Sequence, residues 1–331
     1  MFKDKKNIIL IIVALILLAL PNVVTSKYLL HIFITSLLYI IVAQGLNILV
    51  GLTKYTSFAN AAFYGVGAYT SAILTRTLGL SFWISLPISV IFTAIIAFAA
   101  GYFPLRMRLK GSYFSVTTMA LGSVIMAVIH NQEPLTGGPA GFPSIPSPGS
   151  FFGLAIESRK AFYYLILVFA IVVLIFVKRL MNSKLGRAFK SIGQDEDTAE
   201  SIGINVGYYK ILCFIMSAAI TSIAGVLFAH YSRFLGPDMF TTIEASDHLT
   251  MVILGGMGTI VGPIIGAIVV VVLPEVLRFL AEYRQIIFSL IVILTILFMP
   301  QGLYGLIRSL KARYLAGKSN TAVTKARGVK Q

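Results

Sequence analysis

The stretch MVILGGMGTIVGPIIGAIV (residues 251–269) joins two apolar runs through a cluster of glycines. The run that leads into it, residues 245–256, is twelve residues long. That is about 18 Å of helix at ~1.5 Å per residue, against a bilayer core of roughly 30 Å. The run that follows, residues 259–281, is long enough to cross. The pattern predicts a broken or re-entrant helix that turns at LGGMGT (residues 254–259) and heads back. Non-helical backbone at membrane depth is tolerated only where protein or water covers it. One stretch therefore implies both a membrane and a packed bundle around the turn.

The rest of the chain supplies the bundle. It has 331 residues, 57% of them hydrophobic and 12% charged, about half the charge of an average soluble domain. Further apolar runs lie at about 8–24, 28–50, 55–76, 82–104, 112–130, 161–177, 208–230 and 285–300. Each is helical by length and by the bilayer's demand that backbone groups be satisfied internally. The expected fold is all-α: a polytopic integral membrane protein with about 8–10 transmembrane or re-entrant helices. It reads as one transmembrane domain over residues 1–331.

Charge fixes an expected orientation. KDKK near the start, LRMRLKG (105–111), VKRLMNSKLGRAFK (177–190) and the tail from residue 308 hold 18 of the 27 basic residues. Basic residues are retained in cytoplasmic loops. Placing these four segments inside gives one consistent topology with both termini cytoplasmic. Residues 178–209 then form a cytoplasmic loop, 308–331 a basic cytoplasmic tail in reach of lipid headgroups, and 131–160 an external segment rich in Pro and Gly. The net charge of +15 follows from this topology and needs no nucleic-acid partner. The N-terminal segment resembles a signal peptide but lacks a good cleavage site, so it reads as an uncleaved first span.

Several features suggest chemistry and then fail to sustain it. The lone cysteine, Cys213, builds neither a disulfide framework nor a zinc site. ARYLAGKS (312–319) approximates a phosphate loop without the strand and helix such a loop requires. GMGTIVG (256–262) sits in a membrane run, not after a strand. The four histidines show no ligand spacing. Glu275 lies within an apolar run, where acids are functional candidates, but Arg278 is close enough in sequence to pair with it. Small residues four apart at Ser57/Ala61/Gly65, Ser217/Thr221/Gly225/Ala229 and Gly258/Gly262/Gly266 predict close helix packing.

Asp195, Glu196, Asp197 and Glu200 gather a third of the chain's acids within residues 195–200. Three readings stay open from the residues alone. A magnesium–diphosphate site generally needs a second acidic cluster. A helix N-terminus would be complemented by these charges. A helix over residues 193–204 with mixed basic, apolar and acidic faces would dock on a partner.

GRAFKSIGQDEDTAESIGIN (186–205) and the helix after it resemble the cytoplasmic loop of ATP-binding-cassette importer permeases of the branched-chain amino acid type. Gly186, Arg187, Ala188, Ile192, Asp195, Glu196, Ala199, Gly203, Ile204 and Asn205 carry the match. LKGSYFSVTTMALGSVI (109–125), LTGGPAGFPSIP (135–146) and the opening stretch resemble other segments of the same family, LivM-like rather than LivH-like. The resemblance covers roughly residues 35–305. In LTKYTSFANAAFYGVGAY (52–69), Lys54 and Tyr55 replace the family's usual Gly-Gln, and Asn60 stands where His is common.

The resemblance implies a permease subunit in a bacterial-type inner membrane, with no ATP site and no metal of its own. Its implied partners are a LivH-like permease, two ATP-binding-cassette ATPase subunits carrying ATP and magnesium, and an extracytoplasmic substrate-binding protein. Gly186, Arg187, Asp195, Glu196, Ala199 and Gly203 become candidates for coupling to the ATPase. Ser57, Asn60, Phe63, Thr136, Gly137, Gly138, Gly255, Gly256 and Gly258 become pathway candidates. Branched-chain or other hydrophobic amino acids are the implied cargo, with urea or short amides as an alternative. An ion-coupled carrier or channel would want more buried charge along its spans, and a membrane transferase would want the second acidic cluster.

Overall fold

The computed structural model describes residues 17–309 except 25, 108, 110, 152, 153 and 300. Most of the first apolar run, the signal-like N-terminus, the phosphate-loop-like stretch and the basic tail lie outside the described residues. The long elements are α1 (Lys27–Asn47), α2 (Asn60–Arg76), α3 (Phe82–Arg106), α4 (Ser112–Asn131), α5 (Arg159–Asn182), α6 (Lys184–Gln194), α7 (Glu196–Ser201), α8 (Val206–Ser232), α9 (Thr242–Gly255), α10 (Val261–Val276) and α11 (Arg284–Phe298). Among the described residues six helical segments are long and apolar enough to cross a membrane. A seventh is reached if α11 and residues 302–309, bent by 51°, count as one span.

Surface composition is that of a lipid-embedded bundle. α3 buries Ser85, Ser89, Thr93 and Ala97 and exposes Ile84, Ile88, Ile91, Ile95 and Phe98. In water the opposite distribution would hold. The inward hydroxyls are satisfied locally or across helices: Ser89 and Thr93 donate to carbonyls one turn back, and Thr93 Oγ1 lies 3.0 Å from Ser222 Oγ.

α8 is the central post, packed against α2, α3 and α1. Its small-residue ladder, Ser217, Thr221, Gly225 and Ala229, is wholly buried. A Cβ at Gly225 would sit 2.0 Å from Tyr64 O, so only glycine lets α2 lie this close. The other two ladders are shorter than expected, because Ser57 precedes α2 and Gly258 precedes α10.

The apolar run at 55–76 is not one helix. α1 passes into a π-helical segment, Ile48–Thr53, which ends at Lys54 with φ 62°. Residues 54–59 are irregular, and helix resumes at Asn60. Their backbone is satisfied from α4: Phe58 N donates to Thr118 Oγ1 at 3.2 Å and Ser115 Oγ donates to Thr56 O at 3.0 Å. Hydroxyls of a neighbouring helix thus take the place of the missing helical bonds.

The half-length helix expected before the glycines is present. α9 has 14 residues and ends where Gly256 (φ 120°) and Gly258 (φ 73°) reverse the chain. α10 returns antiparallel, so close that Cβ atoms at Gly255 and Gly266 would lie 2.0 Å from Gly262 O and 1.8 Å from Met251 O. Between α4 and α5 the described residues form single helical turns and two-residue strands, one strand pairing Phe142–Pro143 with Phe234–Leu235. Glu275 is reached by the hydroxyl of Tyr28 on α1, and the Arg278 guanidinium stands over the Tyr28 ring at 5.6 Å. Tyr28 therefore mediates the expected Glu275–Arg278 pairing.

Candidate functional site

The segment 178–209 is helical through most of its length. The expected single helix over 193–204 is two helices meeting at Asp195, whose extended backbone (φ −159°, ψ 124°) closes α6 and opens α7. Asp195 Oδ1 accepts from Thr198 N at 2.6 Å and so caps α7. Asp195, Glu196 and Asp197 all sit at the positive end of that short helix, as the dipole favours.

The six coupling candidates converge on this one region. Gly186 permits the tight turn from α5, since a Cβ there would lie 2.2 Å from Leu180 O. Arg187 is exposed and donates to Asn182 O at 3.1 Å. Ala199 packs with Ile192 and Val206, pinning α7 to α6 and α8. Gly203, at φ 85°, turns the chain into α8. Glu196 turns inward: its Oε1 lies 2.6 Å from Lys210 Nζ, and the Lys210 side chain is 1% exposed. Tyr55 joins both, accepting from Lys210 Nζ at 2.6 Å and donating to Glu196. The replaced Gly-Gln position thus belongs to the junction between α7, α8 and the irregular stretch.

Two backbone contacts carry this region deeper. A Cβ at Gly193, near the end of α6, would lie 2.1 Å from Leu52 O of the π segment. On the other side of that segment, a Cβ at Gly51 would lie 2.5 Å from Gly258 N. α6, the π segment and the tip of the α9–α10 hairpin are therefore stacked backbone on backbone. Side chains of α1 hold the tip: Asn47 Nδ2 donates to Thr259 O at 2.8 Å, Asn47 Oδ1 accepts from Gly258 N at 2.9 Å, and Gln44 Nε2 donates to Ile260 O at 2.7 Å. Polar α1 side chains thus satisfy the backbone that the glycine turn leaves without helical partners.

A buried polar network lies further along the bundle. Thr221 Oγ1 donates to Asn60 Oδ1 at 2.7 Å, which leaves the Asn60 amide nitrogen facing His248 Nδ1 at 3.2 Å. With Nδ1 accepting, the proton is on His248 Nε2, which lies 3.2 Å from Glu244 Oε1 as an ion-pair approach without hydrogen-bond geometry. The same oxygen accepts from Tyr39 at 2.6 Å. Four helices, α1, α2, α8 and α9, are tied through this chain, and Asn60, Thr221 and His248 are each at most 2% exposed. Sequence reading found Asn60 but not Tyr39, Glu244 or His248. Glu244 and His248 are four apart on one helix, which was the available signal; the other partners are remote in sequence.

The remaining pathway candidates divide. Ser57 is buried and accepts from Ala59 N at 3.3 Å. Phe63 is core, edge-on to Phe214 at 5.3 Å. Gly255, Gly256 and Gly258 form the hairpin turn described above. Thr136, Gly137 and Gly138 form a separate turn after α4, with the Thr136 hydroxyl 2.6 Å from Ile129 O and Gly137 at φ 78°. One face of α9 is turned outward, presenting Ile243 and Ser246 with Asp247 and Thr250 half-buried. Ser246, Asp247 and Thr250 on that face are unsuited to lipid, and Thr242 at the start of α9 lines one cavity with Met119 and Ser123 of α4.

A family profile described as the permease component of a branched-chain amino acid transport system matches residues 28–299. The chain is 33% identical to the high-affinity branched-chain amino acid transport permease LivM of Escherichia coli, over 96% of this chain and 80% of that protein. Similarity to the corresponding LivH protein of Salmonella typhimurium is 27% identity, over 81% of this chain and 91% of that one. A probable LivM of Methanocaldococcus jannaschii is 25% identical over 80% of this chain and 90% of its own. No solved structure matches.

Proposed function

The chain belongs to the branched-chain amino acid transport permease family and is a multi-pass membrane protein, and from that premise we propose that it is one permease subunit of an ATP-driven importer. The observation that supports this best is the stack of α6, π segment and hairpin tip. It links a mixed-charge helix pair at one end of the bundle to a re-entrant turn beside the polar face of α9. In this reading α6–α7 is the cytoplasmic surface that receives the ATPase, and both termini lie on the same side. Closure of the ATPase dimer pushes α6 against Leu52. The rigid π segment passes the displacement to Gly258, and α9 moves as a unit.

The polar face of α9 with the adjoining face of α4 would line half of the pathway. A LivH-like permease would supply the other half. ATP and magnesium would be held by two ATPase subunits, and a substrate-binding protein would deliver the cargo on the opposite side. Branched-chain or other hydrophobic amino acids are the proposed cargo. The departure at Lys54 and Tyr55 gives no ground for assigning urea or short amides, because Tyr55 is engaged with Lys210 and Glu196.

Reconstitution tests the proposal. Proteoliposomes holding this chain, a LivH-like permease, both ATPases and the binding protein should take up leucine only with ATP inside the ATPase compartment. Uptake by this chain without any ATPase, driven by an ion gradient, would replace the proposal with a secondary carrier.

A further inference from the structure

Two of the cavities along the long helices differ in kind. One, of about 280 Å³, lies between α2, α3 and α4 and is lined by Val66, Ile73, Phe92, Ile96, Val124 and Val128. Its mouth carries exposed Phe92, Val124 and Val128, a surface suited to lipid chains. The other, of about 210 Å³, lies between α2, α4 and the start of α9. Its walls are apolar: Phe58, Ala61, Ala62, Met119, Met126 and Phe240. Its polar lining is Ser123, Thr241 and Thr242, of which Ser123 and Thr241 are exposed beside Met119, and Thr242 lies one turn before Ser246 on α9.

We propose that this second cavity is the seat of the substrate's branched aliphatic side chain during transport. The inference rests on the permease reading and names a place for its cargo. The volume is that of roughly seven waters at ~30 Å³ each, room for one leucine-sized molecule and not for an acyl chain. Two methionines line it, and their unbranched thioethers adapt to leucine, isoleucine and valine alike. The polar mouth accounts for the other half of the ligand. α9 begins there without a side-chain cap, so first-turn amides face the region where the substrate carboxylate would lie, while Glu244 is turned away to Tyr39 and His248. Half-length helices that begin inside a membrane protein recur at transporter sites for this reason.

Gly122 offers a direct perturbation. A Cβ there would meet Ala59 Cα at 3.6 Å and Ala62 Cβ at 3.7 Å, ordinary contact distances. Gly122→Ala is therefore accommodated, and Gly122→Val pushes its extra methyls into the seat. Discrimination of about tenfold or more against leucine relative to alanine is expected for Gly122→Val, on the scale of one or two methylenes in an apolar pocket.

A thiol readout separates the seat from folding and from the functional reading. The native cysteine, Cys213, is fully buried, so Ser123→Cys places one accessible thiol at the mouth. In the reconstituted complex, leucine should slow maleimide labelling of that thiol several-fold and alanine should slow it less. A thiol at Ser246→Cys, on the same face but off the cavity, should not discriminate between them. ATP-driven leucine uptake is measured in the same vesicles. Loss of uptake in the unmodified complex overturns the permease reading itself. Intact uptake with no leucine protection at Ser123→Cys, or with unchanged leucine-to-alanine preference in Gly122→Val, overturns the seat alone.

Discussion

Gly193→Ala is the sharpest test of the stack that joins α6 to the hairpin. The new Cβ would lie 2.1 Å from Leu52 O, 3.0 Å from Leu52 C and 3.1 Å from Thr53 C. All three atoms are backbone, so no side chain can rotate aside. Ordinary contact begins at 3.4 Å, and the nearest pair must separate by about 1.3 Å. Overpacking of this order costs ~1–3 kcal/mol. A penalty near ~2 kcal/mol shifts a docked-to-undocked equilibrium by about 30-fold. In the reconstituted importer, ATP hydrolysis should persist while leucine uptake per ATP falls by about tenfold or more. The same segment contains its own control. A Cβ at Gly207 would approach only Asn205 Oδ1, at 3.8 Å. Gly207→Ala should stay within about ±0.5 kcal/mol and leave coupling intact. If Gly193→Ala couples as well as Gly207→Ala, α6 does not act through Leu52.

Three further outcomes follow from contacts already described. Glu196→Gln removes the carboxylate 2.6 Å from a lysine that is 1% exposed, and should cost ~3–5 kcal/mol. Adding Lys210→Met should restore most of that in detergent unfolding, whereas simple addition of two losses would show that the pair is not coupled. Asn60→Ala deprives Thr221 and His248 of a buried partner, and a loss on the order of 1–3 kcal/mol is expected; an unchanged melting temperature would contradict the network. Asn47→Ala removes two of the three side-chain bonds from α1 to the hairpin tip and leaves that of Gln44. Amide exchange at Gly258 should accelerate by about tenfold or more, at ~1.4 kcal/mol per decade, and unchanged protection would place the restraint elsewhere.

The spans were legible because a bilayer leaves few alternatives. A long apolar run must be helix, and a twelve-residue run ending in glycines must turn back. The break at 54–59 was hidden because nothing in TSFANAAF forbids helix. Lys54 was the one discordant residue, and its meaning depended on hydroxyls of α4 sixty positions away. The segment at 186–205 was recognisable by its motif, but its division at Asp195 was not. That needed the observation that one residue caps α7 while ending α6. The site was the least legible part. Phe63 looks like a pathway aromatic and proves to be core packing against Phe214. Glu244 and His248 look like isolated polar residues until α1, α2 and α8 bring Tyr39, Asn60 and Thr221 to them.

The hairpin also bears on how the chain enters the membrane. α9 carries Glu244, Asp247 and His248 within 14 residues. An acid at the centre of a membrane helix costs about 2.5–3.5 kcal/mol, so this helix will not partition into lipid by itself. Its Glu244 and His248 are met by Tyr39 of α1 and Asn60 of α2, and the turn that follows it is held by Gln44 and Asn47 of α1. α1 and α2 precede α9 in the chain, so the partners of its polar side chains are made before the helix that needs them. The first long described helix thus carries most of the side chains that hold the α9–α10 hairpin.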